Sequence, residues 1–394
     1  MATEASIALP EMDFAYADAP DLHEVLDELR EQGPVVPVLY HGELAYLVTT
    51  HEAVKQAFAD EEHFASSAFY KLYSEPSQGR TMQAMDGEEH RINRQLVFRP
   101  FLPGRVKSYV EGCITEEANR RLDALEGKRE AELLEEFTRP FPFSVITRLL
   151  GLPIHDEAQF LEWALKVIDY PWDPDGALRA RAEFEDYLRP IVKERRADPG
   201  EDFLSLLTTS EIEGHRLTDE EIFAFCLQLF PAGSDTAYKN LGSLLYAILS
   251  TPGMRERALG SDQDRDDLVL EGLRWQAPVA LQPRRSSADV EFGGVFIPAD
   301  SPMLFGITAA NNDPSVFPDP RRFDPDRPNK NLHLAFGHGE HFCLGSHLAR
   351  RELETAVKLI FERFPNMALM PDRPVEFAGC VLRGVRELWV ELEP

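Results

Sequence analysis

Basic residues are scarce in this chain: 41 lysines and arginines face 68 aspartates and glutamates, a formal net charge of −27 over 394 residues. That balance argues against nucleic acid or an anionic membrane as a partner. Cysteine is equally sparse. The four present, Cys113, Cys226, Cys343 and Cys380, show no paired spacing and no C-x-x-C, which excludes a disulfide framework and fits a reducing compartment. No run of 18 or more apolar residues occurs, and the opening Met1-Ala-Thr-Glu-Ala-Ser has neither a basic n-region nor an apolar h-region. Neither a membrane span nor a secretory signal is expected, and the chain reads as cytoplasmic. Internal repeats and low-complexity tracts are also lacking. What is present, 43% hydrophobic and 10% aromatic residues, suffices for a sizeable core.

Along the chain, residues 21–33 read as a helix, followed by strands Val35 to Leu39 and Leu44 to Thr49 across a His41-Gly42 turn. Helical periodicity dominates from Glu52 to Gln276, broken by turns such as Asp198-Pro199-Gly200. Acidic runs within it, Glu130 to Glu136 and Asp262 to Asp267, read as solvated helical faces. A strand-rich patch spans Val279 to Ile297 with Gly293-Gly294 at its turn. The stretch Asn311 to Lys330 reads as an ordered, irregular loop. A helix after Cys343 and strands Val375 to Phe377 and Leu388 to Leu392 close the chain. The expectation is one mainly α domain over residues 1–394 with small sheets. It divides into an N-terminal helix and sheet region (21–85), a helical core (86–276), and a strand region with a cysteine loop and C-terminal helix (279–394).

Phe336-Gly337-His338-Gly339-Glu340-His341-Phe342-Cys343-Leu344-Gly345 carries the most chemistry. Glycines at 337, 339 and 345 open backbone conformations closed to other residues and let the chain approach a flat ligand. The cysteine precedes an apolar, helix-periodic run (His347 to Phe361), where free N–H groups and the helix dipole favour a thiolate. Two simpler readings stand beside this one: a small buried hydrophobe, as expected for Cys113, Cys226 and Cys380, or zinc held by His338, His341 and Cys343. The zinc reading lacks a second ligand pair at finger-like spacing. The whole string resembles the heme-binding signature of the cytochrome P450 superfamily. That resemblance implies heme b, with Cys343 as the iron ligand and Phe336 and Gly345 against the macrocycle.

Thr218-Asp219-Glu220-Glu221 is a capping box with Leu217 and Ile222 as a hydrophobic staple. It opens a long apolar helix through Phe223, Leu227 and Phe230 to Leu249. In its middle, Pro231-Ala232-Gly233-Ser234-Asp235-Thr236 breaks several helix rules. Either one helix ends near Phe230 and a second is capped by Ser234 or Asp235, or one helix is kinked by an unwound turn, with Thr236 bonded back to the Ala232 carbonyl. The string resembles the superfamily's helix motif of small residue, Gly, any residue, acid and Thr; Pro231 departs from its commoner form. The resemblance implies that Ala232 and Gly233 border the cofactor, that Asp235 delivers protons and that Thr236 orients dioxygen and water.

His90 and Arg94 stand four apart on one helical face. They resemble the superfamily's H-x-x-x-R pair on a heme propionate, which Arg284 and His341 join by position, giving four donors for two carboxylates. Glu271 and Arg274 resemble its E-x-x-R pair, completed by an arginine from the loop Phe317 to Asp324, expected to be Arg322, in a structural role.

Together these motifs imply the cytochrome P450 fold, with heme between a long kinked helix and the cysteine loop. They imply a soluble, monomeric monooxygenase inserting one oxygen atom of dioxygen into a C–H bond of a neutral hydrophobic molecule (terpenoid, aromatic or alkyl-like). Electrons would come from NAD(P)H through a separate ferredoxin and its reductase. A peroxide-driven peroxygenase and a heme-binding sensor are the alternatives. By resemblance the substrate pocket draws on the segment Ser66–Met85, the helices around Trp163–Trp172, and residues Leu229–Gly233, Val279–Leu281 and Val381–Leu382, with Phe69, Leu229, Val279, Ala280, Leu281 and Leu382 as its candidate lining. The ferredoxin is expected at a basic patch of Arg91, Arg99, Arg105, Lys107, Arg350 and Arg351.

Overall fold

The computed structural model describes residues 12–393, so the reading of the Met1–Ser6 segment lies outside the described residues. Helices dominate, and the strands gather in small sheets. The largest sheet holds β1 (Val35–Tyr40), β2 (Glu43–Val48), β3 (Leu281–Arg285) and β4 (Pro302–Gly306) in the order β1-β2-β4-β3. β1 and β2 pair antiparallel across His41-Gly42, whose φ angles of 55° and 74° suit the left-handed hairpin turn. β2 runs parallel to β4 (Leu47 opposite Leu304), so this sheet joins two distant parts of the sequence.

Four helices position the site: α1 (Gly87–Phe98), α2 (Asp219–Ser250), α3 (Asp262–Trp275) and α4 (Ser346–Arg363). The capping box of α2 forms as read: the Glu221 N–H donates to the Thr218 Oγ1 (3.2 Å) and the Thr218 N–H to the Glu221 Oε2 (2.7 Å). Leu217 and Ile222 are buried beside it. The unwound turn does not occur, because α2 is helical throughout its 32 residues with Pro231 inside. Proline removes one N–H and costs a helix interior about 3 kcal/mol, but packing on several neighbouring helices outweighs this, as the fully buried Phe223, Leu227, Leu241 and Leu244 attest. The hydroxyls of Ser234 and Thr236 donate back to the carbonyls of Phe230 (2.5 Å) and Ala232 (2.9 Å).

The acidic runs are not simply solvated faces. Glu130–Glu132 is a strand paired with Trp389–Glu391, and the buried Glu132 carboxylate accepts N–H bonds from Leu134 (3.2 Å), Glu135 (2.7 Å) and Leu388 (2.7 Å). In α3, Asp264 completes a capping box with Ser261, while Asp267 pairs with Arg257 (3.2 Å) and Lys330 (3.1 Å). Of the three cysteines expected to be small hydrophobes, Cys226 and Cys380 are buried and Cys113 half-buried. Among the described residues no helix is long and apolar enough to cross a membrane.

Candidate functional site

A cavity of about 270 Å³ lies where the cysteine loop faces α2.

The floor is the loop. Gly337 and Gly339 take φ of 72° and 77°, and a Cβ on Gly339 would stand 2.5 Å from the Phe58 carbonyl oxygen. Both the conformation and the close approach therefore demand glycine. The Cys343 N–H donates to the Phe336 carbonyl (2.9 Å), which closes the loop and turns the sulfur into the cavity ahead of α4. Burial pushes the Cys343 thiol up, against the N–H groups of Gly345 and Ser346 and the Arg94 guanidinium, which pull it down. A metal ion bonded to the sulfur would favour the thiolate.

The roof is α2. Gln228, Ala232 and Thr236, four apart, face the cavity together with Leu229 and Gly233. A Cβ on Gly233 would meet Ile146 at 2.9 Å, so glycine lets the neighbouring helix Pro140–Leu149 close in. Asp235 does not join this face. Its Oδ1 pairs with the Lys239 Nζ at 2.9 Å, its Oδ2 is buried without a partner, and the Lys239 Nζ lies 2.5 Å from the Tyr238 hydroxyl. The lysine stem rests on Gly384, where a Cβ would come within 3.0 Å. Helical geometry explains the difference: adjacent residues lie about 100° apart around the axis, so Asp235 cannot share the Thr236 face.

One edge of the cavity gathers His90 and Arg94 from α1, Arg284 from β3, and His341. The two imidazoles stack at 4.0 Å, and both Nε2 atoms are buried with no hydrogen-bond partner among the described residues. Burial, then the neighbouring cations, pushes His341 down to about 3. Burial, with Arg94 beside it, lowers His90 as well. Arg94 donates to the Phe342 carbonyl (2.6 Å), and Arg284 reaches only the neighbouring Pro283 carbonyl (3.0 Å). Orphaned buried donors and two arginines without carboxylate partners, inside so acidic a protein, fit an anionic edge carrying two carboxylates. With a sulfur on the floor of the cavity and these donors at its edge, the residues present fit heme.

Behind the floor, Glu271 and Arg274 are wholly buried and doubly bonded, Nε to Oε2 at 2.8 Å and Nη2 to Oε1 at 2.7 Å. Arg274 also donates to the carbonyls of Asn311 (3.0 Å), Pro320 (2.9 Å) and Arg322 (3.2 Å). The third arginine is Arg327, whose Nε lies 3.5 Å from the Glu271 Oε1, and not Arg322. The chain turns at Asp319–Arg322, which leaves the Arg322 side chain exposed and only its carbonyl facing inward.

Of the expected pocket residues, Leu229 and Val279 line the cavity. Phe69 instead stacks on Tyr73 at 4.5 Å. Ala280 and Leu281 are completely buried in the sheet, because both N–H groups turn to the Val381 carbonyl in a bulge. Leu382 is 37% exposed. From the expected segment Ser66–Met85, Ser66, Tyr70, Met82 and Gln83 line the cavity; the sequence reading missed Phe225, Gln228 and Ile307, of which the four-residue spacing from Thr236 would have found Gln228.

The basic patch shrinks to two members. Arg91 pairs with Glu88 and Glu213, Lys107 with Glu111, Arg350 with Asp266 and Arg351 with Glu354. Arg99 and Arg105 form no ion pair among the described residues, and the exposed Phe98, Leu102 and Phe342 accompany them.

A family profile described as Cytochrome P450 matches residues 14–170 and 266–377. The chain is 34% identical to the cytochrome P450 monooxygenase PikC of Streptomyces venezuelae, over 94% of this chain and 91% of that one. The solved cytochrome P450 PksS of the Bacillus subtilis bacillaene polyketide synthase superposes with a TM-score of 0.87 at 30% identity, covering 95% and 97%. CYP109E1 of Bacillus megaterium, solved with testosterone, gives 0.83 at 28% identity, covering 94% and 99%.

Proposed function

The chain belongs to the cytochrome P450 family of heme b monooxygenases, and from that premise we propose that it hydroxylates a neutral hydrophobic small molecule at an unactivated C–H bond, with electrons passed from NAD(P)H through a separate ferredoxin. The observation that carries this reading is the cavity itself: a sulfur floor facing the Thr236 roof, with four nitrogen donors at one edge.

Bound heme supplies dioxygen activation. Cys343 would ligate its iron, His90, Arg94, Arg284 and His341 would hold its propionates, and Phe336, Gly345, Ala232 and Gly233 would border it. Thr236 holds a water and passes protons across the cavity roof. Asp235 restocks that water from outside. Its pairing with Lys239 keeps the carboxylate turned away until the pair opens, and Tyr238 stands at the outer end. The apolar lining of Phe225, Leu229, Val279 and Ile307 excludes bulk water and receives the substrate.

Thr236→Ala is expected to keep NAD(P)H consumption while product per electron falls and hydrogen peroxide rises. Asp235→Asn is expected to slow turnover itself, by about 10²-fold. Unchanged coupling in both variants removes the relay from this reading. Turnover with peroxide alone and none with ferredoxin would make the protein a peroxygenase. A protein that consumes no NAD(P)H with any donor would be a binder.

The ferredoxin docks beside Cys343, on Arg99 and Arg105 framed by Phe98, Leu102 and Phe342, where an acidic partner meets unpaired cations. Double reversal to glutamate should slow ferredoxin-driven reduction by about tenfold at low salt, and less as salt screens the contact. Heme content should stay constant. A stopped-flow rate unaffected by the double variant places the partner on another face.

A further inference from the structure

We propose that Gln228 selects the substrate, by hydrogen-bonding a neutral oxygen (hydroxyl or carbonyl) that an apolar skeleton carries on the order of 10 Å from the oxidised carbon. This rests on the monooxygenase reading above and adds a substrate class to it.

Three observations support it. The first is chemical commitment. The Gln282 Nε2 is occupied, donating to the Tyr70 hydroxyl at 2.9 Å. Gln228 makes no hydrogen bond among the described residues, and its Oε1 is buried without a partner. Gln83, also on the cavity wall, makes none either. An alkane leaves the Gln228 Nε2 donor without a partner, which is costly for an amide on a cavity wall; a ligand hydroxyl or carbonyl oxygen accepts from it, and a hydroxyl can in addition donate to an amide oxygen.

The second is placement. Gln228, Ala232 and Thr236 occupy one stripe of α2. Eight residues at ~1.5 Å each put Gln228 about 12 Å along the helix from Thr236. The amide therefore engages a part of the substrate remote from the carbon under Thr236, which fixes which carbon is presented.

The third is charge. The basic side chains lining the cavity, Arg94 and Arg284 with the imidazoles of His90 and His341, all sit at the edge assigned to the propionates. The Gln228 end has none, so a carboxylate substrate would be stranded there while a ketone or alcohol is satisfied.

The test is optical titration of the heme-loaded protein, reading the ferric spin-state shift, with matched probes: testosterone against androstane, and 2-tridecanone against tridecane, with tetradecanoic acid as the charged control. The oxygenated member of each pair is expected to bind more tightly, and Gln228→Leu to weaken it by about tenfold. The hydrocarbon should bind Gln228→Leu at least as well as wild type, and Gln228→Asn should restore part of the preference. Heme content and the reduced, carbon monoxide-bound spectrum report separately on the parent reading: a wild type without a thiolate signature refutes that reading. With the signature intact, the substrate class is overturned by any of three results. These are equal losses for both members of a pair in Gln228→Leu, no shift with either oxygenated probe, or tighter binding of the acid than of the ketone.

Discussion

Cys343→Ser is expected to leave the fold standing and to stop hydroxylation, with product formation falling by more than about 10²-fold. The loop is closed by the main-chain bond from the Cys343 N–H to the Phe336 carbonyl and by the conformations of Gly337 and Gly339. None of these uses the sulfur. What serine removes is electron donation to the iron, the property that a thiolate ligand brings to dioxygen cleavage. The reduced, carbon monoxide-bound spectrum should lose its thiolate signature. Serine at Cys113, Cys226 or Cys380 should leave that signature unchanged, since none of these three lines the cavity. A Cys343→Ser protein that keeps signature and turnover would sink the assignment.

The second large effect is on stability. Arg274→Ala leaves the Glu271 carboxylate, in a site with no solvent access, with only Arg327 at 3.5 Å and the Asp324 N–H, and frees the carbonyls of Asn311 and Pro320. Breaking a buried pair in this way costs roughly 3–5 kcal/mol, a large share of the ~5–15 kcal/mol that holds a folded domain. The urea midpoint of the heme-loaded protein should drop sharply and heme retention with it. Arg327→Ala should cost less, about 1–3 kcal/mol, since Glu271 keeps Arg274 and the Asp324 N–H (2.9 Å). Arg322→Ala should fall within about 0.5 kcal/mol of wild type, because only its carbonyl is used. The ranking is the test; an Arg322 variant as damaging as Arg327→Ala would mean that the exposed side chain acts in solution.

Features governed by local chemistry were legible from the residues. The capping box of α2, the His41-Gly42 hairpin and the cysteine loop each depend on a few neighbouring side chains or on a backbone that only glycine tolerates. Features decided by long-range packing were not. Three arginines, 321, 322 and 327, lie within reach of Glu271 in sequence, and only the turn at Asp319–Arg322 determines which side chain returns to it. Pro231 looks like a helix breaker because the burial that overrides it comes from other helices. Asp235 sits next to Thr236 in the motif but a hundred degrees around the helix, so adjacency in sequence overstated their closeness. The bulge at Val381 turns Ala280 and Leu281 away from the cavity by a rule that one strand's pattern does not contain.

The cavity walls draw on residues spread from Phe58 to Glu352, and the sheet beside them pairs Leu47 with Leu304. No fragment that stops short of the cysteine loop holds the site, because its floor is translated after its roof. Such distant pairings make folding slow, so the nascent chain exposes the apolar roof of α2 before anything covers it. Capture of the cofactor then becomes the closing event of biogenesis. Because a ligand that binds only the native state shifts the equilibrium by mass action, the cell's heme supply would set how much of this protein survives proteolysis.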